Sequence, residues 1–141
     1  MELDDSLTIS PAEWEIMRVI WTLKESTSKE IIDQVQMKNN WSDSTIKTLL
    51  RRLDKKGLLS VKKESHRFRY EAIYGENELM YKVTSNLLSH MCDMHKGALL
   101  ERLLPEMQLF KKDIEELESE LTKKAITAPD KVPCNCLHDM C

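Results

Sequence analysis

The sequence predicts a mostly α-helical protein with one small β-hairpin: a winged helix-turn-helix followed by a helical dimerisation segment. Two observations predict this fold class. Three amphipathic helical patterns with capping residues come first, and directly after Gly57 the apolar period changes from the helical 3.6 to the strand value of 2. We expect a winged-helix domain over residues 1–75, a helical dimerisation domain over 76–124, and a flexible linker with a cysteine-rich tail over 125–141.

The first two helices are predicted from their N-termini. Ser10 can cap the first helix, Pro11 suits its first position and Glu13 completes a capping box. The run Thr27-Ser28-Lys29-Glu30 repeats the capping-box pattern for a second, short helix. We expect that helix to end around Lys38-Asn39-Asn40, because consecutive asparagines favour a turn.

The third helix, predicted from about Ser44 to Lys56, has two chemically different faces. Ser42 or Asp43 can cap its start, and Gly57 stands where a left-handed residue usually ends a helix. At 100° per residue one face is wholly aliphatic, with Ile46, Leu49, Leu50 and Leu53. The opposite face carries hydroxyl and basic side chains and no acid, namely Ser44, Thr45, Lys47, Thr48, Arg51, Arg52 and Lys55.

A hairpin follows the third helix. Residues 58–64 predict one strand, Ser65-His66 a turn, and residues 67–73 a second strand. The second strand alternates, with Phe68, Tyr70 and Ala72 on one face and charged residues on the other. Three helices followed by a basic hairpin is the element order of a winged helix-turn-helix.

The charge distribution indicates nucleic-acid binding although the net charge is -3. Residues 44–69 hold nine Lys and Arg against two acids, a local charge of +7, whereas the rest of the chain is acidic. A solvated basic face is the alternative explanation, but the polar face of the third helix excludes acids and the hairpin adds further cations. A positioned basic patch is what a phosphate backbone attracts, so we predict binding to double-stranded DNA.

The predicted roles follow from the position of each residue. Ser44, Thr45, Lys47 and Thr48 should reach furthest into the major groove, with the Thr48 methyl available to a thymine and its hydroxyl to a base or a phosphate. Arg51 is expected to read a guanine or to hold a phosphate. Phosphate contacts are expected from Arg52 and Lys55 on the helix and from the hairpin cations, Lys62, Lys63, Arg67 and Arg69.

The C-terminal part returns to a helical pattern from Asn77. Gly97 and Pro105 should divide it into pieces, and residues 106–124 predict a last helix with apolar residues at helical spacing. That apolar stripe needs a partner, and two operator half-sites need two recognition helices. We therefore expect a homodimer rather than a stripe folded back on its own chain.

Other features limit the function classes. We recognise no signal peptide and no apolar run near the roughly 20 residues that a membrane span needs, so we expect a cytoplasmic protein without a membrane partner. We also expect no enzyme, since no nucleophile-base pair, paired carboxylates or phosphate loop is found.

Three of the four cysteines, Cys134, Cys136 and Cys141, lie in the last eight residues. In a cytosolic chain such clustering indicates metal or redox chemistry rather than a disulfide framework. Soft thiolates favour Cu(I) and Zn(II). The fourth cysteine, Cys92, is expected to be a buried structural thiol, although His90 and His95 lie near it in sequence.

Two sequence runs, residues 9–17 with Ile20-Trp21 and residues 41–58, resemble the BlaI/MecI/CopY family of bacterial repressors over about residues 8–124. The resemblance implies a homodimer with an N-terminal winged helix and a C-terminal dimerisation segment. It also implies operators similar to inverted TACA/TGTA repeats, read by the family's positions at Ser44, Thr45, Lys47 and Thr48.

The cysteine tail resembles the copper-responsive CopY branch of that family, which ends in Cys-x-Cys-x4-Cys-x-Cys. The resemblance implies that Zn(II) in the tail keeps the repressor on DNA and that Cu(I) from a copper chaperone displaces it. This chain has Cys-x-Cys-x4-Cys and lacks the last cysteine of the pattern. His138, Asp139, the carboxylate of Cys141 or a ligand from the other subunit could fill the fourth zinc position. Three thiolates alone would suit a trigonal Cu(I) site or a bridged cluster between two tails.

Two other functions remain open at this point. A thiol redox sensor would oxidise the tail cysteines to disulfides and so change its DNA affinity. A β-lactam-type repressor inactivated by proteolysis would not need the tail at all.

Overall fold

The computed structural model describes residues 6–138, which form six α-helices, three short strands and two 3₁₀ turns. The first compact unit ends at Asn86 and the second begins at Leu87. Up to residue 72 the elements are α1 (Pro11–Leu23), β1 (Ser26–Thr27), α2 (Ser28–Lys38), α3 (Asp43–Lys55), β2 (Leu59–Glu64) and β3 (Arg67–Ala72). They are followed by α4 (Glu76–Ser89), a 3₁₀ turn (Asp93–His95), α5 (Lys96–Leu103), a second 3₁₀ turn (Leu104–Glu106) and α6 (Lys111–Thr127).

The predicted fold class is confirmed, and the N-termini of the first three helices form as their sequences indicate. At α1 the Glu13 N–H donates to Ser10 Oγ, and the Ser10 N–H donates to Glu13 Oε1, both at 3.1 Å. Thr27 caps α2, because its Oγ1 accepts from the Glu30 N–H at 3.2 Å. Ser42 is the N-cap of α3. These local bonds satisfy backbone donors that a helix end leaves without partners.

The core of the first unit lies where α1, α2 and α3 meet the sheet. Apolar residues at helical spacing supply it: Ile16, Met17, Ile20, Ile31, Val35, Ile46, Leu50 and Leu53 are completely buried. Leu79 adds the start of α4 to the same core. Because each helix buries only one face, its other face remains in solvent.

The sheet has the order β1-β3-β2 and is antiparallel throughout. The predicted hairpin is present, with Leu59 opposite Ala72 and Glu64 opposite Arg67. The turn residue Ser65 has a φ of 53°. The additional strand β1 was not predicted; it pairs Ser26 with Tyr70 and anchors the hairpin to the start of α2.

The second unit is built differently. None of its described residues, 87–138, is buried, although α5 and α6 are regular helices. The last helix begins at Lys111 and not at residue 106 as predicted, because Pro105 lies in a 3₁₀ turn. At the start of α6 the Asp113 carboxylate accepts a hydrogen bond from the Phe110 N–H at 3.3 Å. No helix among residues 6–138 is both long and apolar enough to cross a bilayer.

Candidate nucleic-acid interface and cysteine cluster

The aliphatic face of α3 determines which of its side chains reach solvent. Ile46, Leu49, Leu50 and Leu53 are all buried, as the helical wheel predicts. Gly57, with φ of 79°, ends the helix and lets the Leu58 N–H donate back to the Leu53 carbonyl at 3.1 Å. The opposite face is therefore held outward by the packing of the apolar one.

The N-terminal turn of α3 presents a connected set of hydroxyls. Ser42 Oγ lies 3.0 Å from Ser44 Oγ and 2.9 Å from Thr45 Oγ1. Thr48 Oγ1 donates to the Ser44 carbonyl at 2.9 Å, and Arg51 donates to Thr48 Oγ1 at 3.2 Å. The Thr48 hydroxyl is thus already bonded within the helix, which leaves its methyl group as the part available to a base.

The basic side chains of this face are exposed. Lys47, Arg52 and Lys55 form no ion pair with a carboxylate among residues 6–138, and Arg51 bonds only to the Thr48 hydroxyl. Such unpaired cations can neutralise phosphates and release their counterions. The four predicted cations of α3 are available for this role.

Lys56, the next residue after this helix, points the other way. Its Nζ lies 2.7 Å from Glu13 Oε2 and donates to the Thr8 carbonyl at 2.7 Å. Glu13 is only 3% exposed. Burial alone would raise the pKa of Glu13, but hydrogen bonds from Lys56 and Ser10 and the charge of Lys56 lower it below its ordinary value. One of the nine basic residues of segment 44–69 is therefore held by the fold, through Glu13 and the Thr8 carbonyl.

The cations of the hairpin differ in whether they form an ion pair. Arg69 Nε lies 2.7 Å from Glu64 Oε2, and this hydrogen bond and charge raise the pKa of Arg69. Lys62, Lys63 and Arg67 are exposed without an ion pair to any described residue. The hairpin and α3 line one groove, whose walls include Ser44, Lys47, Arg51, His66, Phe68 and Tyr70. The third helix and the hairpin thus share one groove, which is lined by the cations Lys47 and Arg51 and also by the acid Asp54.

A group of three cysteines lies in the second unit. The Sγ atoms of Cys92, Cys134 and Cys136 all lie within 4.8 Å of one another, with Cys92 Sγ 3.8 Å from Cys134 Sγ. Two of the predicted tail ligands are therefore together, and Cys92 joins them. The expectation that Cys92 is a buried structural thiol is wrong, because it is half-buried and faces other cysteines.

The remaining predicted ligands are not in this group. His138 is exposed, and the ligand atoms that come together among residues 6–138 include neither it nor His90 or His95. Asp139 and Cys141 lie outside the described residues. Cys134 is disulfide-bonded in the structure, so a metal held through its Sγ requires the reduced form.

The three sulfurs have the spacing of a thiolate metal site. A tetrahedral ion with metal–sulfur bonds of about 2.3 Å separates its sulfur ligands by about 3.8 Å, and a trigonal one by about 4.0 Å. The Cys92–Cys134 separation of 3.8 Å, found with Cys134 in a disulfide, is close to the tetrahedral value, and the other two sulfur separations are below 4.8 Å. A backbone hydrogen bond from Met94 and one from the Cys136 side chain lower the pKa of Cys92, which favours its thiolate. The residues present fit a soft metal ion.

The fold and the exposed cations of the third helix and the hairpin define the class of protein. A capped recognition helix and a basic wing on a three-helix core form a winged helix-turn-helix DNA-binding domain. Similarity to known proteins then identifies the family.

The sequence profile of the penicillinase repressor family matches residues 9–123. The methicillin resistance regulatory protein MecI of Mammaliicoccus sciuri is 36% identical over 116 residues, 82% of this chain and 94% of that protein. An uncharacterized 16.5 kDa protein in the ptsI 3' region of Latilactobacillus sakei is 47% identical over 133 residues, 94% of this chain and 91% of that protein.

Among solved structures, the monomeric form of Bacillus licheniformis BlaI in complex with the blaP half-operator is 39% identical. The matched region covers 51% of this chain and 88% of the BlaI chain, with a TM-score of 0.46. The match of the family profile over most of the chain is decisive: the chain belongs to the penicillinase repressor family and is a BlaI/MecI-type repressor that regulates transcription by binding DNA.

Proposed function

We propose that this repressor is copper-responsive: a dimer binds a palindromic operator and is released when Cu(I) occupies the cysteine cluster. The observation that carries the proposal is the convergence of the Cys92, Cys134 and Cys136 Sγ atoms within 4.8 Å in a chain that also has a DNA-binding face. Three thiolates form a soft donor set, which prefers Cu(I) and Zn(II) to hard cations. Zn(II) would occupy the cluster in the repressing form, and a copper chaperone would deliver Cu(I) in the cytoplasm. We propose no catalytic role.

On DNA, the proposed roles follow the exposure of each side chain. Ser44, Thr45, Lys47 and Thr48 lie on the N-terminal half of α3 and would face base edges, because this end of a recognition helix enters the major groove. Phosphates would be held by the cations that have no carboxylate partner, which are Arg52, Lys55, Lys62, Lys63 and Arg67. Arg51 would contact a guanine or a phosphate, and Arg69 would have to leave Glu64 to contact DNA.

Exposed apolar side chains on and before α6 support the proposed homodimer. Ile114, Leu117 and Leu121 of α6 are 44%, 44% and 60% exposed, and Phe110 before it is 80% exposed. Contiguous apolar surface on a regular helix is a feature of an interaction site. A second copy of the chain would bury this stripe and place two recognition helices on two half-sites.

A thiol redox sensor is the second candidate, and one observation favours it: Cys134 is disulfide-bonded in the structure. In such a sensor two thiols would lose two protons and two electrons to form the S–S bond, and a peroxide would be reduced to two waters. The same cluster would then respond to oxidant instead of metal.

The test measures operator affinity at fixed salt, using the reduced full-length protein alone and with Cu(I), Zn(II) or hydrogen peroxide. The copper proposal expects release by Cu(I) and retention with Zn(II). Unchanged affinity with Cu(I) and loss with peroxide would favour the redox sensor. Deletion of residues 134–141 is the matched variant, and it should abolish the response while operator binding is retained. A deletion variant that still responds would exclude the tail from the mechanism.

A further inference from the structure

We propose that Cys92, outside the tail motif, is a ligand of the metal site, so that metal binding fastens the tail to the segment that follows α4. The inference rests on the proposed function and deepens it by naming the ligand that the shortened tail motif lacks. It depends on where the structure places Cys92, 42 residues before Cys134 in sequence and 3.8 Å from it between Sγ atoms.

The sulfur geometry is the first support. Cys92 Sγ lies 3.8 Å from Cys134 Sγ, close to the separation of about 3.8 to 4.0 Å expected for thiolates that share one ion, and all three Sγ atoms lie within 4.8 Å of one another. Reduction of the disulfide at Cys134 is required before these three sulfurs can bind an ion. The tail alone could offer only two of these three sulfurs. Cys92 is half-buried, and its Sγ lies beside the sulfurs of the two tail cysteines.

The backbone around Cys92 is the second support. Cys92 has extended φ and ψ angles of −66° and 125°, and its carbonyl accepts the His95 N–H at 3.1 Å to begin the 3₁₀ turn. The ligand therefore lies on a segment with regular structure on both sides, α4 ending at Ser89 and α5 beginning at Lys96. The tail around Cys134 and Cys136 has no helix or strand. A ligand held between two helices gives the tail ligands a defined docking point.

The ligand count is the third support. The described tail residues supply two sulfurs, those of Cys134 and Cys136, and Cys92 raises the number to three. Three thiolates form a soft donor set for Cu(I) or Zn(II) without a further cysteine of the tail. The departure from the family's tail pattern is thereby compensated by a cysteine elsewhere in the chain.

The consequence is a route from the metal to the rest of the protein. α4 begins in the winged-helix core, where Leu79 is completely buried, and it ends three residues before Cys92. An ion that binds Cys92 together with the tail therefore acts on the residues directly after that helix, instead of on a free chain end. Exchange of the ion would change the restraint on α4, which both units share.

The experiment measures the affinity of Cu(I) and of Zn(II) for the reduced full chain by competition with a chromophoric chelator, in the absence of DNA. We compare the wild type with C92S, C134S and the control S85A, which replaces an exposed residue of α4. C92S and C134S should each weaken metal binding by at least about tenfold, since changes to outer-shell residues alone weaken it 10–100-fold. S85A should bind as the wild type does. Wild-type affinity in C92S, beside a loss in C134S, would overturn the inference.

A second measurement does not depend on how a variant folds. The wild type is alkylated with and without Zn(II), and the modified cysteines are identified by mass spectrometry. Protection of Cys92 together with Cys134 supports the inference, whereas protection of the tail cysteines alone contradicts it. Failure of the proposed function has a different signature: metal binds through Cys92 as expected, but Cu(I) does not release the operator.

Discussion

The adjacent lysines Lys55 and Lys56 should have different roles, one in DNA binding and the other in stability. Replacing each with alanine tests which residues belong to the DNA-binding face. Lys55 is exposed without an ion pair to any described residue, while Lys56 contacts Glu13 and the Thr8 carbonyl. K55A should leave the free energy of unfolding within about 0.5 kcal/mol of the wild type. It should also lower the slope of log Kobs against log salt by about 0.9 for each phosphate that is no longer neutralised, or about 2 for a dimer.

K56A should do the reverse, because it leaves a buried carboxylate without its partner. Removing one member of a buried ion pair costs about 3–5 kcal/mol, a range that applies when both groups are buried. Glu13 is buried, but the Lys56 side chain is 29% exposed, so we expect about 2–3 kcal/mol. The salt slope should not change, since Lys56 does not face DNA.

Urea denaturation gives the first quantity, and fluorescence anisotropy with labelled operator at several salt concentrations gives the second. The double variant K56A/E13Q is the control, and it should recover part of the stability because the buried charge is gone. A K56A protein of wild-type stability with a reduced salt slope would refute the assignment of Lys56 to the fold. A K55A protein with an unchanged slope would refute that of Lys55 to the phosphates.

Three further predictions concern the other regions. T48A should lose about 1–3 kcal/mol of discrimination between operator and random DNA, because the Thr48 methyl is the group offered to a base. Competition binding measures this loss, and equal losses on both DNAs would contradict the role. R67A should weaken binding to all sequences alike, which the same assay measures; a loss confined to the operator would contradict a phosphate contact. L117E should shift sedimentation towards the monomer, because it places a charge in the apolar stripe of α6; an unchanged molecular mass would contradict dimerisation through that stripe.

A pH dependence of stability follows from Glu13. Its pKa is lowered in the folded protein, so its contribution is fully present above its ordinary value of 4.5 and is lost as the pH falls through the folded value. Urea denaturation at pH 7 and at successively lower values below 4.5 should show a loss that is smaller in E13Q. An E13Q protein with the same pH dependence as the wild type would show that another group is responsible.

Features encoded within a few residues could be predicted from the sequence. The capping residues Ser10, Thr27 and Ser42 and the positive φ of Gly57 follow from local hydrogen bonding and steric preference. The buried and exposed faces of α3 follow from helical periodicity over one short segment. In each case the signal lies in residues that contact one another along the chain.

Features that depend on distant contacts could not be predicted in this way. The strand β1 has only two residues, Ser26 and Thr27, which is too short for a period to show, and it forms because β3 lies beside it. The inward direction of Lys56 depends on Glu13, 43 residues earlier. Cys92 appeared to be an ordinary structural thiol because its partners lie more than 40 residues later. Its sequence neighbours carry no sign of that convergence.

We propose that metal in the cysteine cluster controls operator binding, and a single titration tests this control. Operator affinity of the reduced full chain is measured at fixed salt with increasing Cu(I), while Cu(I) binding is followed in the same samples. We expect the affinity to fall as the cluster fills, by roughly 5- to 150-fold, the range of typical coupling between two sites. Full occupancy by Cu(I) with unchanged operator affinity would contradict the account.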